Sequence, residues 1–154
     1  MVRVATAADL AGFRFVGFAT WPATYEPLAG AAYVAANLDE YWSESALLPV
    51  LEAGDGLVAV DGDRVVGVSE VAEWGEDLVM WKLYVLPARQ GEGIGGLLLD
   101  AVIALAGRRG RALVTEYVAA NTAAGRFYAA HGFEVETDAA EPLGSVWMRL
   151  TAQR

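Results

Sequence analysis

Four glycines, Gly91, Gly93, Gly95 and Gly96, lie between two apolar runs, one over residues 83–86 and one beginning at Leu97. Strand, glycine turn and helix start together make an anion site. The first N–H groups of a helix have no intrahelical partner, and the dipole there is positive. Glycines let a phosphate approach the backbone closely. The chain has no cysteine and a single histidine, His131. Cysteine nucleophiles, disulfides and thiolate metal sites are therefore excluded, no multi-histidine centre is available, and no metal is expected. His131 reads as a surface or packing residue near a helix end.

These groups need elements to position them. Val2 and Val4 alternate with Arg3 as a short edge strand. Asp9 is a fair N-cap for a helix through Leu10, Phe13, Val16 and Phe18, and Pro22 and Pro27 are expected to interrupt it. A second helix is expected over residues 28–38, and a third helical segment from Asp39 towards Leu48. This half is rich in aromatics. They are core residues, or Trp21, Tyr25 and Trp42 line a substrate pocket. Residues 56–60 and 64–71 flank an Asp-Gly turn as a hairpin. A strand over 78–86 leads to the glycine turn. The helix after it is apolar nearly all round and should be well buried. Arg108, Arg109 and Arg111 at its end complement the helix dipole in solvent. A strand over 112–118, a helix over 122–130 closed by Gly132, and strands over 133–137 and 145–150 complete the chain. The order is β-α-α-β-β-β-α-β-α-β-β, a mixed α/β (α+β) fold. Without repeat or linker, residues 1–154 read as a single domain.

Hydrophobic residues make up 55% and charged residues 20% of the sequence, a globular rather than disordered balance. The net charge is −9, with no basic stripe. Nucleic acid is a poor partner for such a surface, and a cationic small molecule or peptide amine is favoured. No apolar run reaches membrane-spanning length, and the N-terminus lacks a signal-peptide core. A cytoplasmic protein with no membrane partner is expected.

Gly91, Gly93 and Gly96 also satisfy G-x-G-x-x-G, with Glu116 downstream, which alone suggests a dinucleotide fold. The context argues against it. The chain after Gly96 is too short for the usual parallel strands, and Glu116 falls inside its strand. There is no Gly-Lys-Ser/Thr for a P-loop. Gln90-Gly-Glu-Gly-Ile-Gly95 instead resembles the Q/R-x-x-G-x-G/A signature of the GNAT superfamily of acetyl-CoA-dependent N-acetyltransferases. The resemblance continues upstream through Leu83-Tyr84-Val85 and Pro87. Downstream, Asn121-x-x-Ala124-x-x-Phe127-Tyr128-x-x-x-Gly132-Phe133 is similar to the family's second motif, at a distance that suits a helix and a strand between the two.

The resemblance implies a mostly antiparallel twisted sheet flanked by helices, with two central strands that splay apart. It implies an acetyl-CoA site. Backbone amides of Gly91, Glu92, Gly93, Ile94, Gly95 and Gly96, after Gln90, would hold the pyrophosphate. Main-chain groups of Leu83, Tyr84 and Val85 would pair with the pantetheine arm. Asn121 would hydrogen-bond that arm or simply cap its helix. The implied reaction is direct acetyl transfer to a primary amine in a ternary complex. Tyr128 would serve as acid towards the leaving thiolate, or pack in the core. A lysine-type amine, with pKa near about 10.4, costs roughly 4–5 kcal/mol to deprotonate at neutral pH, so a general base matters. Many relatives carry a glutamate on the strand before the glycine turn, and here that strand has no carboxylate. Glu116 is the first candidate base, Glu70 the second, and a water chain a third. The competing reading is a non-catalytic acyl-CoA-binding regulatory module. A homodimer is an expectation from the family alone, and the amine and the acyl range are not readable.

Overall fold

The computed structural model describes residues 1–151. A short strand β1 (Val2–Val4) leads through a 3-10 turn to three helices, α1 (Leu10–Ala29), α2 (Ala31–Tyr41) and α3 (Glu44–Glu52). Strands β2 (Gly56–Asp61), β3 (Arg64–Trp74) and β4 (Asp77–Val85) follow, then α4 (Ile94–Arg108), β5 (Ala112–Val118), α5 (Thr122–Ala130), β6 (Phe133–Thr137) and β7 (Ser145–Leu150). The third helical segment is thus a helix of its own. Ser43 caps it, its hydroxyl accepting from the Ala46 N–H at 3.2 Å.

Helix α1 corrects the expected interruption, because it runs unbroken through Pro22 and Pro27. An interior proline costs about 3 kcal/mol. Trp21 and Tyr25, one turn apart, are 8% and 4% exposed with their rings 4.3 Å apart. Burying such side chains contributes roughly 2–3 kcal/mol each, and with Phe13 and Val16 of the same helix also fully buried packing outweighs the penalty of the two prolines. The helix ends instead at Gly30, whose φ of 89° few other residues adopt. Gly17 is needed for a different reason: a Cβ there would lie 2.2 Å from the Trp42 ring, so α1 meets α2's end backbone to ring.

The strands form one sheet in the order β1-β2-β3-β4-β5-β7-β6. Only β4 and β5 are parallel, as their connection through α4 requires. Side chains alternate across the sheet. Tyr84 faces Trp21 and Trp42 on one side, while Val85 lies 3.8 Å from the Cβ position of Gly95 on the other. Helices α1 and α2 therefore cover one face and α4 the other.

Two features open the middle of the sheet. The β4–β5 ladder runs from Asp77↔Ala112 to Met80↔Thr115 and stops, although both strands continue. At that point the β3–β4 register shifts from Val71↔Met80 to Glu70↔Lys82, leaving Trp81 as an extra residue. Such a bulge bends its strand and raises the local twist, which turns the end of β4 away from β5. The Ser69 hydroxyl donates to the Lys82 carbonyl at 2.7 Å, and the Thr115 hydroxyl to the Met80 carbonyl at 2.9 Å. These two bonds fix the fork. At the closed end, Arg149 on β7 reaches over β5 to grip Asp77 at 2.8 and 3.0 Å, and pairs with Glu136 of β6 at 3.0 Å.

Leu98, Leu99, Val102 and Ala106 of α4 are fully buried, but Leu97 is 56% exposed, so the helix is not buried all round. Arg108 in the last turn is exposed as expected, whereas Arg109 and Arg111 are ion-paired rather than free in solvent. Arg109 binds Asp55 at 2.9 Å and Arg111 binds Glu73 at 3.0 Å.

Candidate active site

Two cavities meet at the fork, and Tyr84 lines both. The first, of about 500 Å³, lies over the glycine turn. Leu83, Tyr84 and Val85 line it from β4, where the ladder to β5 has ended and the strand edge is open. Gln90, Gly91, Gly93, Ile94, Gly95 and Gly96 line it from the turn and the first residues of α4, and Asn121 from the start of α5. Gly91 and Gly93 have φ of 84° and 83°. With these left-handed residues the turn wraps round the free N–H groups of α4 as an anion-binding concavity. The Gln90 amide donates to the Val85 carbonyl at 3.1 Å, joining turn to strand. Glu92, expected here, does not line the cavity. Its side chain pairs with Arg89 at 2.9 Å.

Asn121 does two things at once. Its side-chain oxygen accepts from the Ala124 N–H at 3.4 Å, as a helix N-cap, and its amide donates to the Tyr25 hydroxyl at 3.3 Å. The cap explains why the residue type suits the start of α5, and the second bond ties α5 to α1 across the open fork.

The second cavity, of about 480 Å³, lies on the α1–α2 side and is walled largely by aromatic rings, Tyr25, Tyr33, Tyr41, Trp81 and Tyr117 among them. Trp21, Tyr25 and Trp42 are almost fully buried core residues that also belong to its wall. Glu70, Lys82 and Glu116 line it too. Lys82 donates to Glu70 at 2.7 Å and sits 5.2 Å from the centre of the Trp42 ring. The Glu116 side chain makes no hydrogen bond or ion pair among the described residues.

Tyr128 lines the glycine-turn cavity and is 7% exposed. Burial pushes its hydroxyl well above the usual phenol range, the Thr115 hydroxyl beside it pulls the other way, and Tyr25 adds to the rise. Burial likewise raises Tyr84, with Tyr25 and Tyr128 adding. Both phenols therefore keep their protons at neutral pH. Thr115 and Glu116 are successive residues of β5 and point to opposite faces. Tyr128 lines the glycine-turn cavity and Glu116 the aromatic one, so a proton donor and a carboxylate stand in the two cavities that share Tyr84.

The sequence did not single out Arg89, Thr20 or Thr24, and named Phe127 only as a motif position; all four also line the glycine-turn cavity. The two threonines sit one turn apart on α1 and carried no local signal. Lys82 was read only as a strand residue. His131 is the C-cap of α5, its ring 4.3 Å from Phe127, and lines neither cavity. Among the described residues no cluster of side chains could hold a metal ion, and no helix is long and apolar enough to cross a membrane.

A family model for the acetyltransferase (GNAT) domain matches residues 52–135. Among solved structures, the fold is similar to a PaiA N-acetyltransferase from Thermoplasma acidophilum in complex with coenzyme A. That match has a TM-score of 0.89 at 20% identity, over 97% of this chain and 96% of that one. Ard1 from Thermoplasma volcanium matches with a TM-score of 0.76 at 16% identity, over 97% and 95% of the two chains. A GCN5-related N-acetyltransferase from Rhodopseudomonas palustris matches with a TM-score of 0.76 at 24% identity, over 97% and 93%. At these identities the likeness is one of fold. A search of curated proteins found no match.

Proposed function

The chain belongs to the GNAT acetyltransferase family, and from that premise we propose that it transfers an acetyl group from acetyl-CoA to a primary amine by direct attack in a ternary complex. The observation that carries this reading is the fork between β4 and β5, at which two cavities of different chemistry meet. The glycine-turn cavity suits coenzyme A. Its left-handed Gly91 and Gly93 and the bare N–H groups of α4 suit a pyrophosphate, and the open edge of β4 suits an amide-bearing arm. Bound acetyl-CoA supplies an activated thioester carbonyl.

The chain's own groups then do the following. Main-chain groups of Leu83, Tyr84 and Val85, with Asn121, orient the arm along β4. Tyr128 holds a proton on the cofactor side of the fork and delivers it to the departing sulfur as the C–S bond breaks. Glu116 faces the amine side and takes the proton released as the N–C bond forms. Glu70 is the weaker base candidate, because Lys82 already occupies its Oε1. A water between Glu116 and the amine serves the same role as direct contact. The absence of cysteine in the sequence accords with direct attack. The same reading takes residues 1–154 as one cytoplasmic domain and a homodimer as the assembly, which light scattering would measure.

Release of CoA in the presence of a panel of primary amines tests the proposal, alongside thermal melting with acetyl-CoA. A raised melting temperature with amine-dependent CoA release is expected. Acetyl-CoA binding without turnover on any amine would instead indicate a non-catalytic acyl-CoA-binding module. No thermal shift at all would sink both.

A further inference from the structure

The aromatic cavity carries an unbalanced charge among its described lining residues. Apart from phenols, its ionisable lining groups are Glu70, Lys82 and Glu116. Glu70 and Lys82 satisfy each other at 2.7 Å. Glu116 has no partner among the described residues, which leaves the cavity one uncompensated negative charge. The Glu116 carboxylate faces α2 across the space. Burial, then Tyr25 and Glu116, raises the Tyr33 phenol; Glu40, and more weakly Glu116, raises Tyr41. Both phenols thus lie within the field of this one carboxylate.

Resting on the acetyltransferase reading, we propose that the acceptor is a primary monoamine with an aromatic body, of the phenylethylamine type, its ammonium at Glu116 and its ring against the aromatic wall. One positive charge matches one free carboxylate. A second cationic centre, as in a polyamine, would find no further free carboxylate in the wall among the described residues, Glu40 standing beside Tyr41 but outside it, and would bear a desolvation cost. A carboxylate on the acceptor, as in an α-amino acid, would lie in the field of Glu116, and the only cation in the wall among the described residues, Lys82, is already paired. Capturing Lys82 for it would leave Glu70 buried and bare. The remaining wall offers ring faces and edges, which reward an aromatic body by offset or edge-to-face contact. They also add cation–π attraction at the ammonium. A cavity of about 480 Å³ accommodates a ring and a short chain.

The test compares kcat/KM for 2-phenylethylamine, L-phenylalanine, spermidine and butylamine at saturating acetyl-CoA. L-Phenylalanine has the same body with a carboxylate added, spermidine adds cations, and butylamine removes the ring. The expected result is a preference for 2-phenylethylamine of about tenfold or more over each, the size of one interaction of 1.4 kcal/mol. Tyr33→Ala should raise KM for 2-phenylethylamine severalfold and leave KM for acetyl-CoA unchanged. Equal or better use of L-phenylalanine, spermidine or butylamine overturns the proposed class while leaving the transferase reading intact. An unchanged amine KM in Tyr33→Ala overturns the placement of the ring. Acetyl-CoA binding with turnover of none of the four, nor of any other amine, overturns the transferase reading and the class with it.

Discussion

The ammonium of Lys82 donates to Oε1 of Glu70 at 2.7 Å, with the two side chains 9% and 12% exposed. This pair spans β3 and β4 at the register shift that opens the sheet. Breaking it from one side leaves a nearly buried charge without its partner. Glu70→Gln or Lys82→Met alone should cost about 2–4 kcal/mol in urea denaturation. The double replacement should cost clearly less than the sum, because no bare charge remains. Additive losses would mean that the pair is not energetically coupled.

For Tyr128→Phe the expectation is a fall in kcat of roughly 100-fold, the scale of a lost general acid, with acetyl-CoA affinity little changed. The phenol is buried and its pKa raised, so in the proposed role it should stay protonated until well above the ordinary tyrosine range. Single-turnover rates measure the effect. A kcat unaltered when chemistry limits the rate would remove Tyr128 from proton transfer.

Glu116→Gln should lower kcat/KM most at neutral pH and progressively less as pH rises. Deprotonating an alkylamine near neutrality costs about 4–5 kcal/mol, and that cost falls as pH approaches the amine pKa. A pH–rate profile of both proteins decides the point. A loss independent of pH would assign Glu116 to structure or to binding alone.

Arg149 holds Asp77 below the ordinary carboxylate range, chiefly by hydrogen bonding, against an opposing desolvation. A lowered carboxyl pKa contributes stability that is fully present above the unfolded value and is lost as pH falls through the folded one. The pair is about a third exposed, so its contribution is about 1 kcal/mol. Arg149→Ala should therefore destabilise the protein by that amount near neutrality and by much less below the carboxylate range. Denaturation curves at the two pH values check it, and an equal loss at both would refute the linkage.

Much of the fold was legible because its signals are local. The ranges of β5, α5, β6 and β7 agree with the sequence reading residue for residue. Asn121 as a cap, Gly132 as a stop and alternating strands act within a few residues of themselves. The path of α1 was not legible. Pro22 and Pro27 are strong local breakers, and the contacts that overrule them come from outside the helix, from Tyr33, Trp42 and Tyr84. Leu97 was misjudged for a similar reason, since periodicity does not say where neighbouring elements leave a helix face open.

The sequence by itself determined the glycine turn, the second motif from Asn121 to Phe133, and with them the family resemblance and the acetyl-CoA expectation. It also named Glu70 and Glu116 without ranking them by geometry. Tertiary structure decided the rest. The bulge at Trp81 and the early end of the β4–β5 ladder open the fork. Lys82 then neutralises Glu70, and Glu116 is left alone on the aromatic side. Asn121 meets Tyr25 across 96 residues of chain. Caps and turns are energies of neighbouring residues, whereas a gap between strands or a missing ion partner depends on groups that only the folded chain brings together.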